Sequence, residues 1–208
     1  MAIFEWKIGI DLWHNKVMTE IEIRGKLSKS DFENLFPFLN KKGKIKNHYH
    51  RLSVDISFGF DKVSRKWNNT TLVDLRIKKS DDEEKITAKI GRFDRKEREE
   101  IEVKLIPGEI LNALDLFEAL GYKSGMIYCW ESWEFDYKKF EIKISKYTND
   151  YYTFEIESSV SNPDLLAKEL NLKPYTQKEY KRTIEWENKN IHRIYKKETF
   201  EMLLKSLF

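Results

Sequence analysis

Polar and apolar side chains alternate along the stretch TEIEIRGKL at residues 19–27. Glu20, Glu22, Arg24 and Lys26 occupy even positions, whereas the odd positions are mostly isoleucine or leucine. A β-strand sends successive side chains to opposite faces. The stretch is therefore predicted to be a strand with one apolar face and one face that carries two acids followed by two bases.

The same alternation recurs along much of the chain, in RLSVDISFGF, LVDLRIKK, KITAKIG, REEIEVKL, KFEIKISKY and YYTFEIES. The aromatic run MIYCWESWEF and the N-terminal AIFEWKIGI are also predicted to be extended. Repeated period-2 alternation is typical of antiparallel strands that bury one face each.

Helices are predicted in four stretches: SKSDFENLFPFLNKKG, PGEILNALDLFEALG, SNPDLLAKELNL and ETFEMLLKSLF. The second begins near Pro107 and stops at Gly121, and the third has Asn162 as cap with Pro163 at the first helical position. Pro37 falls inside the first and is expected to kink or divide it. We predict a single α+β domain over residues 1–208, with helices packed on the apolar side of an antiparallel sheet.

Composition narrows the function classes. The 208 residues are 40% hydrophobic and 35% charged, and Lys+Arg 38 against Asp+Glu 35 gives a net charge of only +3. Because the signs are interleaved, an extended nucleic-acid-binding surface is not expected. No apolar run approaches the roughly 20 residues of a membrane span, the N-terminus does not resemble a signal peptide, and the single Cys129 leaves no internal disulfide. A cytoplasmic protein without membrane contact is expected.

The charged faces have an ordinary interpretation, which is that they meet solvent. However, acids occur as doublets two residues apart, where like charges repel unless a cation lies between them. The doublets are Glu20/Glu22, Glu100/Glu102 and Glu155/Glu157, and the strands between them carry Arg76/Lys78 and Lys85/Lys89. If the sheet curves so that this face points inward, its interior suits a divalent metal bound to a polyphosphate.

Other groupings give weaker signals. His48 and His50 share a strand face but have no third metal ligand nearby in the sequence. Trp130 and Trp133 are expected in a packed core, and the stretch IHRIYKKE at residues 191–198 is expected to be a solvated face.

The order of the charged motifs resembles the CYTH superfamily of triphosphate tunnel metalloenzymes, which includes thiamine triphosphatase, inorganic triphosphatases, class IV adenylate cyclases and RNA triphosphatases. The matching motifs are EIEIR, LRIK, ITAK, EEIE and FEIE, in that order between about Thr19 and Glu157. The resemblance implies an antiparallel eight-stranded β-barrel, the triphosphate tunnel, with flanking helices. The core would span about residues 19–175, followed by a C-terminal helical extension at 176–208.

The resemblance also implies the roles of the charged residues. Mg²⁺ or Mn²⁺ would be held by Glu20, Glu22, Glu155 and Glu157. Phosphate oxygens would be bound by Arg24, Lys26, Arg76, Lys78, Lys89, Lys104 and Lys143, and one carboxylate of Glu100 and Glu102 would orient the attacking water. The expected activity is metal-dependent hydrolysis of a triphosphate compound, with nucleic acid recognised only through a 5′-triphosphate end.

Two departures from the family pattern keep alternatives open. The family's basic pair on the strand after the central helix is absent from MIYCWESWEF, and its Asp on the following strand is replaced near Lys143 and Ser145. Lys143 could supply the missing positive charge. The alternatives are a class IV-type adenylate cyclase, a module that binds nucleotide or polyphosphate without turnover, and a plain antiparallel scaffold for protein contacts; a homodimer is left open.

Overall fold

The computed structural model describes residues 21–56, 60–67, 73–91 and 99–208. The predicted strand AIFEWKIGI and the predicted metal ligand Glu20 lie outside these ranges.

The described chain forms eleven strands, all antiparallel to their partners. They are β1 (Ile21–Leu27), β2 (Lys44–Ile56), β3 (Phe60–Asp61), β4 (Lys66–Trp67), β5 (Val73–Ser80), β6 (Glu83–Ile90), β7 (Glu99–Lys104), β8 (Gly125–Tyr137), β9 (Phe140–Lys146), β10 (Tyr152–Ser158) and β11 (Arg193–Ile194). The main sheet follows the order β1-β10-β9-β8-β2-β5-β6-β7, and β11 joins it by pairing with β8.

The predicted α+β class and the antiparallel path of eight strands are confirmed. Across the described residues, β1 and β7 end the path and do not pair with each other, so hydrogen bonds do not close the sheet into a barrel. The sheet nevertheless curves enough for side chains from all eight strands to reach one cavity.

Five helices pack around the sheet in the described chain: α1 (Lys29–Lys42), α2 (Ile110–Ala119), α3 (Pro163–Glu169), α4 (Gln177–Asn190) and α5 (Lys197–Leu207). The apolar faces of β1, β9 and β10 form a core cluster with α1 and α3, and a second cluster joins β2 and β5 to α2 and α5. Burial of these faces fixes the register of the strands, which turns the opposite, charged faces toward one another. No helix in the described ranges is long and apolar enough to cross a membrane.

Helix α1 runs through Pro37 without a break, contrary to the expected division. Pro37 lies on the exposed side of the helix, so the carbonyl that loses its hydrogen-bond partner can bond to water instead. The helix begins with a capping box between Ser28 and Asp31, and Leu35 and Leu39 anchor it to the sheet.

The C-terminal segment corrects one expectation. Residues 191–198 were expected to meet solvent, but His192 and Tyr195 are 7% and 3% exposed. Pairing of β11 with residues Met126 and Ile127 of β8 places this segment against the sheet. Helix α4, which carries its own capping box at Thr176 and Glu179, precedes it.

Candidate functional site

The curved sheet surrounds a cavity of about 830 Å³ on its polar side. Among the residues that the structure describes, seven basic side chains line it: Arg24, Arg51, Arg76, Lys78, Lys85, Lys89 and Lys143. Ten acidic side chains of the same ranges line it as well: Glu22, Asp55, Glu99, Glu100, Glu102, Glu134, Glu141, Glu155, Glu157 and Glu187. The cavity is charged because the strands of the main sheet direct their polar faces into it.

Strand register arranges part of this charge in rows across the sheet. Glu22 of β1 lies opposite Glu157 of β10, which lies opposite Glu141 of β9. This row is acidic throughout. Like charges at such spacing favour either a shared proton or a bound cation.

The neighbouring row alternates in sign. Arg24 lies opposite Glu155, Glu155 opposite Lys143, and Lys143 opposite Glu134. Lys143 forms an ion pair with Glu155, and Arg24 Nη2 lies 3.7 Å from the same carboxylate. Arg24 also pairs with Glu22 and donates from Nη1 to the Tyr180 hydroxyl of α4 at 2.6 Å.

These contacts shift the pKa values of the row. Burial works against ionisation of Glu155, but Lys143 and Arg24 outweigh it and lower the pKa of Glu155. Burial likewise opposes the charge of Lys143, yet Glu155 raises the pKa of Lys143 above its ordinary value. Both groups are therefore charged at neutral pH. In the acidic row, by contrast, burial raises the pKa of Glu157 to about 8, against the opposing charge of Lys143; a hydrogen bond with Glu141 adds to the rise.

On the other side of the cavity, Arg76 of β5 is held between two aspartates. Its Nε lies 3.3 Å from Asp55 on β2, and its guanidinium also pairs with Asp74 of its own strand. Burial raises the pKa of Asp55 to about 7 although Arg76 opposes that rise. Burial, aided by the charge of Arg76, lowers the pKa of Lys78 to about 7.

The predicted catalytic pair on β7 faces the cavity. Glu100 lies 2.9 Å from Lys89 Nζ and 3.7 Å from Lys78 Nζ. Burial opposes ionisation of Glu100, but Lys89 and Lys78 together lower its pKa. Glu102 lies 2.9 Å from Lys85 Nζ. Both carboxylates are held by lysines of the central strands.

The structure brings most of the predicted site residues together. Glu22, Arg24, Arg76, Lys78, Lys89, Glu100, Glu102, Lys143, Glu155 and Glu157 all line the cavity. Two predicted phosphate-binding residues do not. Lys26 extends past its edge, with Nζ 5.2 Å from the centre of the Tyr151 ring, and Lys104 is 80% exposed and pairs with Glu83 at 3.0 Å.

The missing basic pair on the aromatic strand is offset by neighbouring strands. Strand β8 turns Trp130 and Glu134 into the cavity. Their cross-strand neighbours are Arg51 on β2 and Lys143 on β9. Trp133, on the opposite face of β8, packs against the aromatic residues of α1 as expected. The prediction that Trp130 lies in the core is wrong, because Trp130 lines the cavity instead.

Sequence reasoning missed several lining residues. Arg51, Asp55 and Glu141 occupy the polar faces of predicted strands, so the alternation contained a signal for them. Asn188 and His192 belong to the C-terminal segment, whose approach to the cavity depends on the pairing of β11 with β8. No local sequence pattern predicts the pairing of β11 with β8.

The donor set fits a hard divalent cation chemically but is not preassembled. Carboxylate oxygens are the ligands that Mg²⁺ and Mn²⁺ favour, and the row Glu22, Glu157 and Glu141 offers them side by side. In the part of the chain that the structure describes, no three His, Cys, Asp or Glu side chains converge as a ready metal site. Glu22 and Glu155 instead satisfy Arg24 and Lys143.

Comparison with known proteins identifies the fold. No family model matches the chain, and no curated protein matches its sequence. Among solved structures, a protein from Pyrococcus horikoshii is similar with a TM-score of 0.57 and 19% identity, covering 74% of this chain and 91% of that one. A proposed adenylate cyclase from Bacillus halodurans gives a TM-score of 0.50 and 18% identity, covering 76% of this chain and 92% of that one.

A chain of the Schizosaccharomyces pombe Mediator head module is also similar, with a TM-score of 0.50 and 12% identity, covering 85% of this chain and 98% of that one. The fold is shared. Identities this low establish nothing beyond it, and the same architecture serves a proposed cyclase and a component of a large assembly. Chemistry must therefore be argued from the side chains of the cavity.

Proposed function

We propose that the cavity binds a triphosphate group together with a divalent cation and hydrolyses it. The observation that carries the proposal is the convergence on one cavity, among the described residues, of seven bases and nine acids from all eight strands of the main sheet, with Glu187 of α4 as a tenth acid. A solvated polar face has no reason to bury Asp55 and Lys78, because taking charges out of water costs free energy.

The bases supply a phosphate clamp. Arg24 and Lys143 on one side, and Arg76, Lys78 and Lys89 on the other, present their charges to the same space. Arginine forms bidentate hydrogen bonds with phosphate oxygens, and lysine adds compact charge. A triphosphate held between the two sides would exchange the present carboxylate partners of these bases for its own oxygens.

The charge balance ties triphosphate binding to a cation. Acids outnumber bases among the described lining residues, so a bare polyanion would meet net negative charge. A divalent cation held by Glu22, Glu157 and Glu155, with Glu141 beside them, would offset most of that excess negative charge. When bound, it would supply charge neutralisation at the phosphate oxygens and polarise them.

The carboxylates of β7 suit the role that remains, which is to orient the attacking water. Lys89 and Lys78 lower the pKa of Glu100, so Glu100 is ionised at neutral pH and can accept a proton or a hydrogen bond from water. Glu102 is fixed by Lys85 at 2.9 Å. We assign to this pair the orientation of the water that attacks the terminal phosphorus.

The test is metal-dependent phosphate release from tripolyphosphate, ATP, thiamine triphosphate and 5′-triphosphate RNA, with cyclic nucleotide measured in the ATP arm. Turnover should require Mg²⁺ or Mn²⁺ and should fall at least about 100-fold in Glu100→Gln or Glu157→Gln, since each loses a carboxylate from the machinery. The matched control is Glu131→Gln. Glu131 lies on the opposite face of β8, where it bonds to His48 at 2.9 Å, and its loss should leave turnover unchanged.

A binding module without turnover is the second candidate. It is favoured by the satisfied ion pairs of Glu22 and Glu155 and by the lack of a ready metal cluster among the described residues. Metal-dependent triphosphate binding with no phosphate release in any arm would establish this alternative and exclude the hydrolase. Cyclic nucleotide as the main product would instead indicate a cyclase.

A further inference from the structure

The face of the main sheet that points away from the cavity carries two neighbouring histidines. His48 and His50 occupy even positions of β2, whereas Arg51 and Asp55 at odd positions line the cavity. Successive side chains of a strand point to opposite faces, so the two imidazoles lie on the outer face of the sheet. Their ring centres are 6.1 Å apart, and both residues are exposed.

Strand β8 brings a carboxylate to this pair. Glu131 lies directly opposite His50 in the register of β2 and β8, and residues opposed in this way have Cβ atoms about 4.5–5.5 Å apart. The Glu131 carboxylate also lies 2.9 Å from Nε2 of His48. Strand pairing therefore supplies the third potential metal ligand that the sequence around the histidines lacks.

The ring of His48 is supported from behind. It stacks on Trp133 with 5.2 Å between the ring centres and 6° between the planes, and Trp133 in turn packs against Phe32 and Phe36 of α1. Packing that fixes the orientation of a ligand side chain favours metal binding, because less conformational freedom is lost when the ion binds. His48 is thus the anchored member of the pair.

Charges around the histidines are compatible with a dication. Asp81 lies beside His50, where its carboxylate accepts the His50 backbone N–H at 3.2 Å. Lys146 lies opposite Glu131 on β9. Two carboxylates and one ammonium group therefore surround the two imidazoles, and a bound cation would meet net negative charge.

The spacing needed for a metal is nearly present. A tetrahedral site with metal–nitrogen distances of roughly 2.0–2.1 Å places its ligand atoms about 3.3 Å from one another. His48 Nε2 and Glu131 Oε1 are 2.9 Å apart, so an ion between them requires only a small widening. Because no three potential ligands in the described ranges converge as a ready metal site, the ring of His50 must turn toward the other two. Its exposure permits that turn.

We propose that His48, His50 and Glu131 bind a Zn²⁺ ion on the outer face of the sheet. Two imidazoles and one carboxylate suit Zn²⁺, whereas Mg²⁺ prefers oxygen ligands alone. The bound ion links β2 to β8, whose inner faces direct Arg51 and Trp130 into the cavity, so it stabilises the strands that carry them. This site is independent of the triphosphate chemistry proposed for the cavity.

Calorimetric titration of Zn²⁺ into the protein, with excess Mg²⁺ present to compete at sites built from oxygen ligands, tests the proposal. One Zn²⁺ per chain should bind. His48→Gln, His50→Gln and Glu131→Gln should each weaken that binding at least about tenfold, the smallest effect usual even for loss of an outer-shell partner. Glu157→Gln, which changes the cavity instead, is the control and should leave the Zn²⁺ affinity unchanged.

Nuclear magnetic resonance of the imidazole nitrogens locates the ion directly. Zn²⁺ should shift the resonances of His48 and His50, assigned through the glutamine variants, and leave those of His192 in the cavity unchanged. Absence of saturable Zn²⁺ binding, or wild-type affinity in any of the three ligand variants, would overturn the proposal. So would Zn²⁺ binding that is lost in Glu157→Gln or that shifts His192 instead, because the ion would then lie in the cavity.

Discussion

Lys143→Met is the sharpest test of the alternating row, because it leaves the carboxylate of Glu155 in place without its main partner. Removing one member of a buried ion pair costs about 3–5 kcal/mol. Both side chains here keep 22% exposure, and Arg24 remains 3.7 Å from Glu155. The free energy of unfolding should therefore fall by about 2–3 kcal/mol, which is at or below the lower end of that range. The measurement is urea-induced unfolding at pH 7.

The double variant Lys143→Met with Glu155→Gln should recover most of that loss, since no unpaired charge remains. A coupling of about 1.5 kcal/mol or more is expected between the two positions. Lys138→Met provides the control: Lys138 pairs with Glu169 on the surface, where the side chains are 49% and 46% exposed, and its loss should have a much smaller effect. Strictly additive effects of the Lys143 and Glu155 substitutions would refute the row as a coupled unit.

Three further predictions follow from the same geometry. The pKa of Glu157 is raised to about 8 in the folded protein from an ordinary value of 4.5, so between these pH values the folded chain keeps a proton that the unfolded chain has released. Metal-free stability should therefore fall as pH rises from about 5 to 8, by up to about 1.4 kcal/mol per pH unit. Urea titrations of Glu157→Gln across this range should show a shallower dependence of stability on pH. Gly125→Ala should cost about 3 kcal/mol or more, since its Cβ would lie 1.9 Å from a backbone carbonyl of β2; unchanged thermal stability would contradict the pairing of β2 with β8. Lys89→Met should weaken tripolyphosphate binding about tenfold, whereas Lys26→Met and Lys104→Met should leave it nearly unchanged, as calorimetry would show.

Much of the fold could be predicted because alternation and caps are local signals. Strand β7 (Glu99–Lys104) and helix α2 (Ile110–Ala119) fall within predicted stretches. The sequence could not show that Lys26 and Lys104 lie outside the cavity, because both share a strand face with residues that line it. A strand face is set by local alternation, but whether its end reaches the cavity depends on curvature of the whole sheet.

The positions of Trp130, Asn188 and His192 in the cavity could not be predicted from the sequence, for a related physical reason. Asn188 and His192 reach the cavity only because β11 pairs with the start of β8, a contact between positions more than sixty residues apart. Period-2 patterning also could not decide the direction of Trp130, since both faces of β8 carry aromatic side chains. The pairing partners of β8 decide it.

The central claim is that the charged cavity binds a triphosphate together with a divalent cation. Its most direct test is calorimetric titration of tripolyphosphate into the protein with Mg²⁺ present and again with the metal chelated, for the wild type and for Arg76→Gln. We predict saturable binding of one tripolyphosphate per chain, at least tenfold weaker without the metal and at least tenfold weaker in Arg76→Gln. Absence of binding in Mg²⁺ and Mn²⁺ alike, or binding indifferent to both the metal and Arg76, would contradict the claim.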